Sequence, residues 1–258
     1  MSIPIKLPTL PLWSQWPAEK LREEKAASPR AFARGRQMRA FTDEEVMFPS
    51  FKSCFNSVIR AADVARRGWP TFIGVDLAGE KRKGNVIFVG AMDPGTQHRY
   101  PVEIMAGAWT SPETARRLHE AHGRHPNTRC ILVETNAYQA ALVDWIKHGG
   151  GASGANWWWK VESFTTGSNK ANLTVGLPSL ELEFHHKMWS IPESEFAGHP
   201  VECKCPWCTW VEQMTDYPMS AADDTVMGCW FFREAISRWG GGGATAVKGM
   251  VGPSFNSR

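Results

Sequence analysis

Residues 71–107 hold three apolar runs in quick succession, TFIGVDLA, NVIFVGAM and HRYPVEIMAG, separated by the turn-forming strings KRKG and DPGT. Turns this short allow hairpins only, because a parallel pair needs a crossover of a dozen or more residues. The three runs predict an antiparallel meander, with compact structure beginning near Pro70. The pattern then changes. SPETARRLHEAHG reads as a helix, with Thr110 or Ser111 as N-cap and Pro112 in its first turn. RCILVE is short and apolar throughout, the type of strand buried on both faces. NAYQAALVDWIKHGG reads as an amphipathic helix closed by glycines, and NWWWKVESF as another strand. A helix over 177–187, an irregular stretch over 192–218 and a last helix, ADDTVMGCWFFREAISRW, complete the series.

A meander followed by alternating helices and parallel strands predicts an α/β chain with an RNase H-like mixed sheet, an antiparallel three-strand meander plus parallel strands, flanked by helices. Three regions are expected. Residues 1–69, Pro-rich and then charged, read as an N-terminal arm or linker with one helix near 17–27 and a short one after Thr42. Thr42 and Glu45 have the spacing of a capping box. Residues 70–239 form the main domain, with 192–218 as a Cys-rich insertion, and 240–258 read as a flexible tail. Hydrophobic residues make up 43% of 258, enough to bury a sizeable core. No apolar stretch approaches the roughly 20 residues of a membrane helix, and the start lacks a continuous apolar signal region. The expectation is a soluble, intracellular chain that makes no use of membrane.

Acids fall at special points of this pattern. Asp76 ends the first apolar run, Glu134 ends RCILVE, and Asp223 and Asp224 open the last helix. Burying carboxylates is costly unless a cation lies between them. Hard oxygen ligands suit Mg²⁺ and Mn²⁺, and two such ions about 3.5–4 Å apart suit phosphodiester cleavage. The plainer alternative is that Asp76 opens a turn, Glu134 caps the next helix and Asp223 is an N-cap. Lys81, Arg82 and Lys83 lie in the turn beside Asp76, and Lys170 follows the fifth strand. Such cations could hold phosphates, or Lys81 and Lys83 could line an ordinary solvated turn. Glu80 is a further candidate metal ligand from the same turn.

The strings carrying these acids resemble the nuclease domain of the large terminase subunit of tailed bacteriophages. V-E-T-N-A-Y-Q at 133–139, D-D-T-V-M at 223–227, TTGSNKAN at 165–172 and Tyr217-Pro218 before the acid pair are similar to strings of that family, in the same order. AFARGRQMRAFTDEEVMF is similar to the stretch that joins the packaging ATPase to the nuclease. The resemblance spans roughly residues 13–238. It departs at Met227, where many relatives have another Asp, and no G-x-x-x-x-G-K-[ST] phosphate loop occurs. The resemblance implies a metal-dependent endodeoxyribonuclease without ATPase activity, cutting concatemeric viral DNA during genome packaging in the host cell cytoplasm. It implies catalytic, metal-binding roles for Asp76, Glu134, Asp223 and Asp224 with two Mg²⁺ or Mn²⁺, and DNA contacts at Lys170, with Lys81 and Lys83 weighed beside it. It implies double-stranded DNA, a packaging ATPase domain, a small terminase subunit and a portal as partners. Other RNase H-like nucleases, such as a junction resolvase or a transposase-like enzyme, and a non-catalytic nucleic-acid-binding or assembly module remain alternatives.

A second constellation lies apart from the acids. His199, Cys203, Cys205 and Cys208 form H-x-x-x-C-x-C-x-x-C, a spacing suited to a structural zinc ion. His185 and His186 are alternative fourth ligands, and a redox C-x-x-C is disfavoured because such a pair normally opens a helix in a βαβ context, which Pro206-Trp207 does not provide. Cys54, Cys130 and Cys229 sit in apolar runs and read as core. The 13 tryptophans read mostly as core rather than as base-stacking platforms.

Overall fold

The computed structural model describes residues 17–27, 46–77, 84–134, 160–164, 176–200, 202–220 and 222–239. Five strands form one sheet: β1 (Thr71–Asp76), β2 (Asn85–Met92), β3 (Arg99–Gly107), β4 (Thr128–Glu134) and β5 (Val161–Phe164). Their spatial order is β3-β2-β1-β4-β5. The pairs β1–β2 and β2–β3 are antiparallel, whereas β1–β4 and β4–β5 are parallel. This is the RNase H-like mixed sheet expected from the order of apolar runs, with β1 in the middle. Every residue of β1 and β2 is buried, as their unbroken apolar character requires.

Six helices are described: α1 (Ala18–Ala27), α2 (Ala61–Arg66), α3 (Ser111–Arg124), α4 (Pro178–His185), α5 (Pro206–Asp216) and α6 (Asp224–Trp239). Two of them cover opposite faces of the sheet. On one face Ile73, Val75, Ile87, Val89, Ile131 and Val133 pack with Ala115, Leu118 and Ala121 of α3. On the other, Phe72, Val86, Phe88, Cys130, Leu132 and Phe164 pack with α6. The α6 helix is apolar around most of its circumference, which fits a helix covered on more than one side. Trp230, Phe231 and Phe232 are fully buried, each stabilising the fold by about 2 kcal/mol. Close approach of α6 to the sheet depends on Gly74 and Gly90, which give the helix room over β1 and β2. Among the described residues no helix is long and apolar enough to cross a membrane.

The core starts earlier than Pro70. Phe48, Phe51 and Cys54, within the stretch read as arm, are buried in the α6-side core. Phe51 meets Phe184 and Trp210 edge to face, each at 5.3 Å between ring centroids. Phe55–Asn56 also pairs in parallel with Ile191–Pro192. Thr42 and Glu45, the 136–150 helix, residues 156–159 of NWWWKVESF and the tail lie outside the described residues.

The stretch 192–218 is not irregular throughout, because it contains α5. Cys205 is the N-cap, its Sγ accepting the Cys208 N–H, and Pro206 occupies the first turn. A proline there costs no hydrogen bond, since that N–H has no partner within the helix. Trp210 and Met214 then bury the inner side of α5.

Candidate functional site

Strand parity decides where the acids point. Asp76 is paired with Val86, and Val86 faces α6, with its Cγ1 only 2.7 Å from where a Cβ on Gly228 would lie. Glu134 is paired with Phe164, whose ring packs edge to face on Trp230 and Phe231 of α6. Val75 pairs with Val133, so Asp76 and Glu134 are each the next residue along two adjacent parallel strands. Both carboxylates therefore leave the sheet on its α6 face, at the carboxyl ends of β1 and β4. Both are buried, Asp76 at 1% exposure and Glu134 at 8%.

The start of α6 approaches the same edge. The Asp224 Oδ2 lies 3.1 Å from the position a Cβ would take on Gly84. Gly84 is two residues before Val86, the partner of Asp76, and so belongs to the same face and the same end of the sheet. Asp223 precedes the first residue of α6, and its carbonyl accepts the Met227 N–H at 2.9 Å, which makes it the N-cap residue. Of the acid pair, Asp224 faces the sheet, while the backbone of Asp223 starts the helix.

The acids are not drawn into one tight knot. Among the described residues, the His, Cys, Asp and Glu side chains whose ligand atoms all come within 4.8 Å of one another are His199, Cys203, Cys205 and Cys208. Carboxylates arranged around two ions need not close so far. Ions about 4 Å apart with oxygen ligands at about 2.1 Å hold terminal ligands several ångströms further apart. Three hard oxygen donors on one face and one end of the sheet fit divalent Mg²⁺ or Mn²⁺.

Gln213 is a site residue that sequence reading did not identify. Nearly buried at 9% exposure, its Oε1 accepts from the Thr225 N–H at 3.0 Å and from the Thr225 hydroxyl. It ties α5 to the first turn of α6, one residue from Asp224. No motif signals it, since a single Gln among the polar residues of a short helix carries no pattern.

A second unforeseen group lies under the α6 face. Glu183 of α4 accepts from Arg99, Arg233 and the Trp189 indole, at 3.1, 3.0 and 2.9 Å. Arg233 also donates to Glu234. This buried network joins β3, α4 and α6 and holds the helix that carries Asp224.

In the cysteine cluster, His199 Nδ1 is 3.6 Å from Cys203 Sγ, 3.6 Å from Cys205 Sγ and 3.4 Å from Cys208 Sγ. His185 and His186 lie against each other, ring centroids 5.4 Å apart, rather than with the sulfurs. The Cys205 N–H bond to its sulfur draws the Cys203 thiol down to about 7, while desolvation and the neighbouring cysteines push Cys208 up to about 12. The C-x-x-C does open a helix, contrary to the expectation from sequence. The cluster is compatible with a zinc site. Cys54, Cys130 and Cys229 are buried, as their apolar contexts indicate. Glu80, Lys81, Arg82, Lys83 and Lys170 lie outside the described residues.

A mixed sheet in the order β3-β2-β1-β4-β5, with acids at the carboxyl ends of its central strands, defines an α/β protein of RNase H-like architecture. No family model and no curated protein matches the chain. Among solved structures the fold is similar to the large terminase nuclease of thermophilic phage G20c, with 15% identity over 66% of this chain and 82% of that one and a TM-score of 0.42. It is similar to the large terminase nuclease domain of bacteriophage SPP1 with bound Mn, with 12% identity over 54% and 70% and a TM-score of 0.39. It is also similar to the human cytomegalovirus terminase nuclease domain, Mn-soaked and inhibitor-bound, with 13% identity over 76% and 94% and a TM-score of 0.47.

Proposed function

We propose that this chain is a metal-dependent DNA endonuclease, the nuclease of a phage packaging terminase. The observation that carries the reading is the convergence of Asp76, Glu134 and Asp224, remote in sequence, on one face and one end of the central strands. Buried acids of like charge gathered there are costly without a cation. The strings V-E-T-N-A-Y-Q and D-D-T-V-M, similar to those of terminase nucleases, fall at these acids.

In this reading Asp76, on the central strand, would hold divalent metal together with Glu134 and Asp224. Mg²⁺ or Mn²⁺ bound there supplies activation of water and charge stabilisation of the leaving 3′ oxygen in phosphodiester hydrolysis. The chain's own part is to hold three carboxylates fixed, so that little reorganisation accompanies the chemistry. Asp76 and Glu134 are fixed by strand pairing, and Asp224 by the seat of α6 over Gly74 and Gly84. Asp223 caps the helix and supports its neighbour. Lys170, with Lys81 and Lys83 from the segment of sequence between β1 and β2, contacts the DNA phosphates. The substrate is double-stranded DNA, cut with little sequence preference by the isolated domain. A packaging ATPase domain, a small terminase subunit and a portal direct the cut within the host cell.

The test is a digest of supercoiled plasmid with Mg²⁺, Mn²⁺ or EDTA, using wild type, Asp76→Asn and Glu134→Ala. Nicking is expected in either metal, with none in EDTA and a loss of at least a hundredfold in both variants. Rapid cleavage of four-way junctions or RNA–DNA hybrids with plasmid spared assigns the chain to another RNase H-like nuclease. Nicking unchanged in Asp76→Asn overturns the site.

A further inference from the structure

We propose that His199, Cys203, Cys205 and Cys208 hold one zinc ion, and that this ion is a positioning device for the acidic site, acting through α5 and Gln213. The zinc itself is independent of the nuclease reading; its effect on the acids rests on that reading.

The contacts of His199 have the lengths of edges in a zinc tetrahedron, and all four ligand atoms lie within 4.8 Å of one another. Bonds of about 2.3 Å to sulfur and about 2.0–2.1 Å to nitrogen place the sulfur–nitrogen edges of a zinc tetrahedron at about 3.5 Å. The distances from His199 Nδ1 to the sulfurs are 3.6, 3.6 and 3.4 Å. Ordinary hydrogen bonding does not account for three near-equal contacts, because one ring nitrogen offers either one proton or one lone pair. Two backbone N–H groups, of Cys205 and Cys208, point at the sulfurs of Cys203 and Cys205, at 3.5 and 3.4 Å. Donors of this kind stabilise thiolate charge in a metal knuckle. Three thiolates and one imidazole are the donor set of a closed structural site, with no open position for chemistry.

The site stands at the start of α5, which Cys205 caps and whose first turn includes Cys208. Trp210 and Met214 anchor the inner side of that helix in the core. The knuckle pins its more exposed beginning, and the two attachments together fix the helix's rotation about its axis. That rotation aims Gln213, whose amide oxygen holds the N–H and hydroxyl of Thr225 in the first turn of α6. Asp224 is the adjoining residue. A rigid path of one helix therefore joins the ion to a carboxylate of the acidic site.

The first experiment is elemental analysis of the intact purified protein, without chelators, alongside the absorption spectrum after cobalt replacement. One zinc per chain and the strong visible bands of tetrahedral thiolate-bound cobalt are expected, both lost in Cys205→Ser and reduced in the milder His199→Ala. Absence of zinc from wild type, or a Cys205–Cys208 disulfide found by mass spectrometry, overturns the site. The second experiment is Mn²⁺ binding followed by electron paramagnetic resonance. His199→Ala and Gln213→Leu are each expected to weaken it about tenfold, the range of an outer-sphere change, whereas Asp76→Asn abolishes it and leaves zinc content at one. Mn²⁺ binding unaltered in both His199→Ala and Gln213→Leu overturns the positioning role. No Mn²⁺ binding by zinc-loaded wild type overturns the nuclease reading and the positioning role together, and leaves the zinc site standing.

Discussion

A Cβ on Gly74 would lie 2.2 Å from the backbone nitrogen of Phe232. Strand β1 and helix α6 therefore touch backbone to backbone, two residues before Asp76. The obstacle is main chain rather than a side-chain tip, so Gly74→Ala must lift the helix. We expect a loss of about 3 kcal/mol, the upper part of the range for overpacking, measured by denaturant unfolding. At Gly90 the obstacle is the ring of Phe232, and Gly90→Ala is expected to cost less.

Gly84→Ala isolates the position of one carboxylate. The added methyl would stand 3.1 Å from Asp224 Oδ2 and 3.8 Å from its Cγ, so the carboxylate must yield by a few tenths of an ångström. Unfolding free energy is expected to change by less than about 0.5 kcal/mol, as for ordinary surface substitutions. Mn²⁺ affinity and nicking are expected to fall several-fold. Unchanged Mn²⁺ binding in this variant would remove Asp224 from the ligand set.

Asp76 places a carboxyl group where burial is nearly complete. Asp76→Asn replaces it with a neutral amide of almost the same shape. In EDTA the variant is expected to melt at the same temperature as wild type or higher, because a buried carboxylate costs stability when no ion compensates it. With Mn²⁺ present the order reverses, since only wild type gains from binding. Calorimetric melting with and without the metal checks both halves.

Glu183 offers a contrast. Its partners Arg99 and Arg233 are themselves largely buried. Removing it in Glu183→Ala leaves two cations without their shared anion, and about 3–5 kcal/mol is expected to be lost. Zinc content of whatever fraction folds should stay at one per chain.

His122 makes stability pH-dependent. Burial first, then the charges of Lys160 and His119, lower its pKa from 6.5 to about 4. Lys160 donates to the neutral ring at Nε2, 3.1 Å away. Between these two values the unfolded chain binds the extra proton and the folded chain does not, so this contribution is full above pH 6.5 and declines as pH falls toward 4. His98 shifts in the same direction through its own burial. His122→Gln keeps an acceptor for Lys160 without titrating. Its melting temperature is expected to fall less steeply than that of wild type over this window.

Much of this frame is legible in the sequence, for reasons tied to particular residues. Strands β1 and β4 announce themselves because a strand covered by helices on both faces must be apolar at every position, and each ends in an acid that such a strand does not otherwise tolerate. The first turn of α5 carries its own signal in Pro206 after a capping Cys205, and PWCTWVEQMTD is amphipathic; reading the cysteines as ligands in an irregular loop hides the helix. Phe48, Phe51 and Cys54 recur every third residue among polar neighbours, and the run is too short to count as periodic. Arg99 and Glu183 are 84 positions apart. Charge pairing over that span leaves no trace in local pattern, and neither does the reach of Gln213 to Thr225.

The backbone contact at Gly74 has a bearing on when such a chain becomes dangerous to its substrate. On the nuclease reading, the ribosome makes two of the three cutting groups early and the third only with the last described helix. Until that helix docks over its glycine, the growing polypeptide has blades but no hinge, and nearby DNA is safe from it.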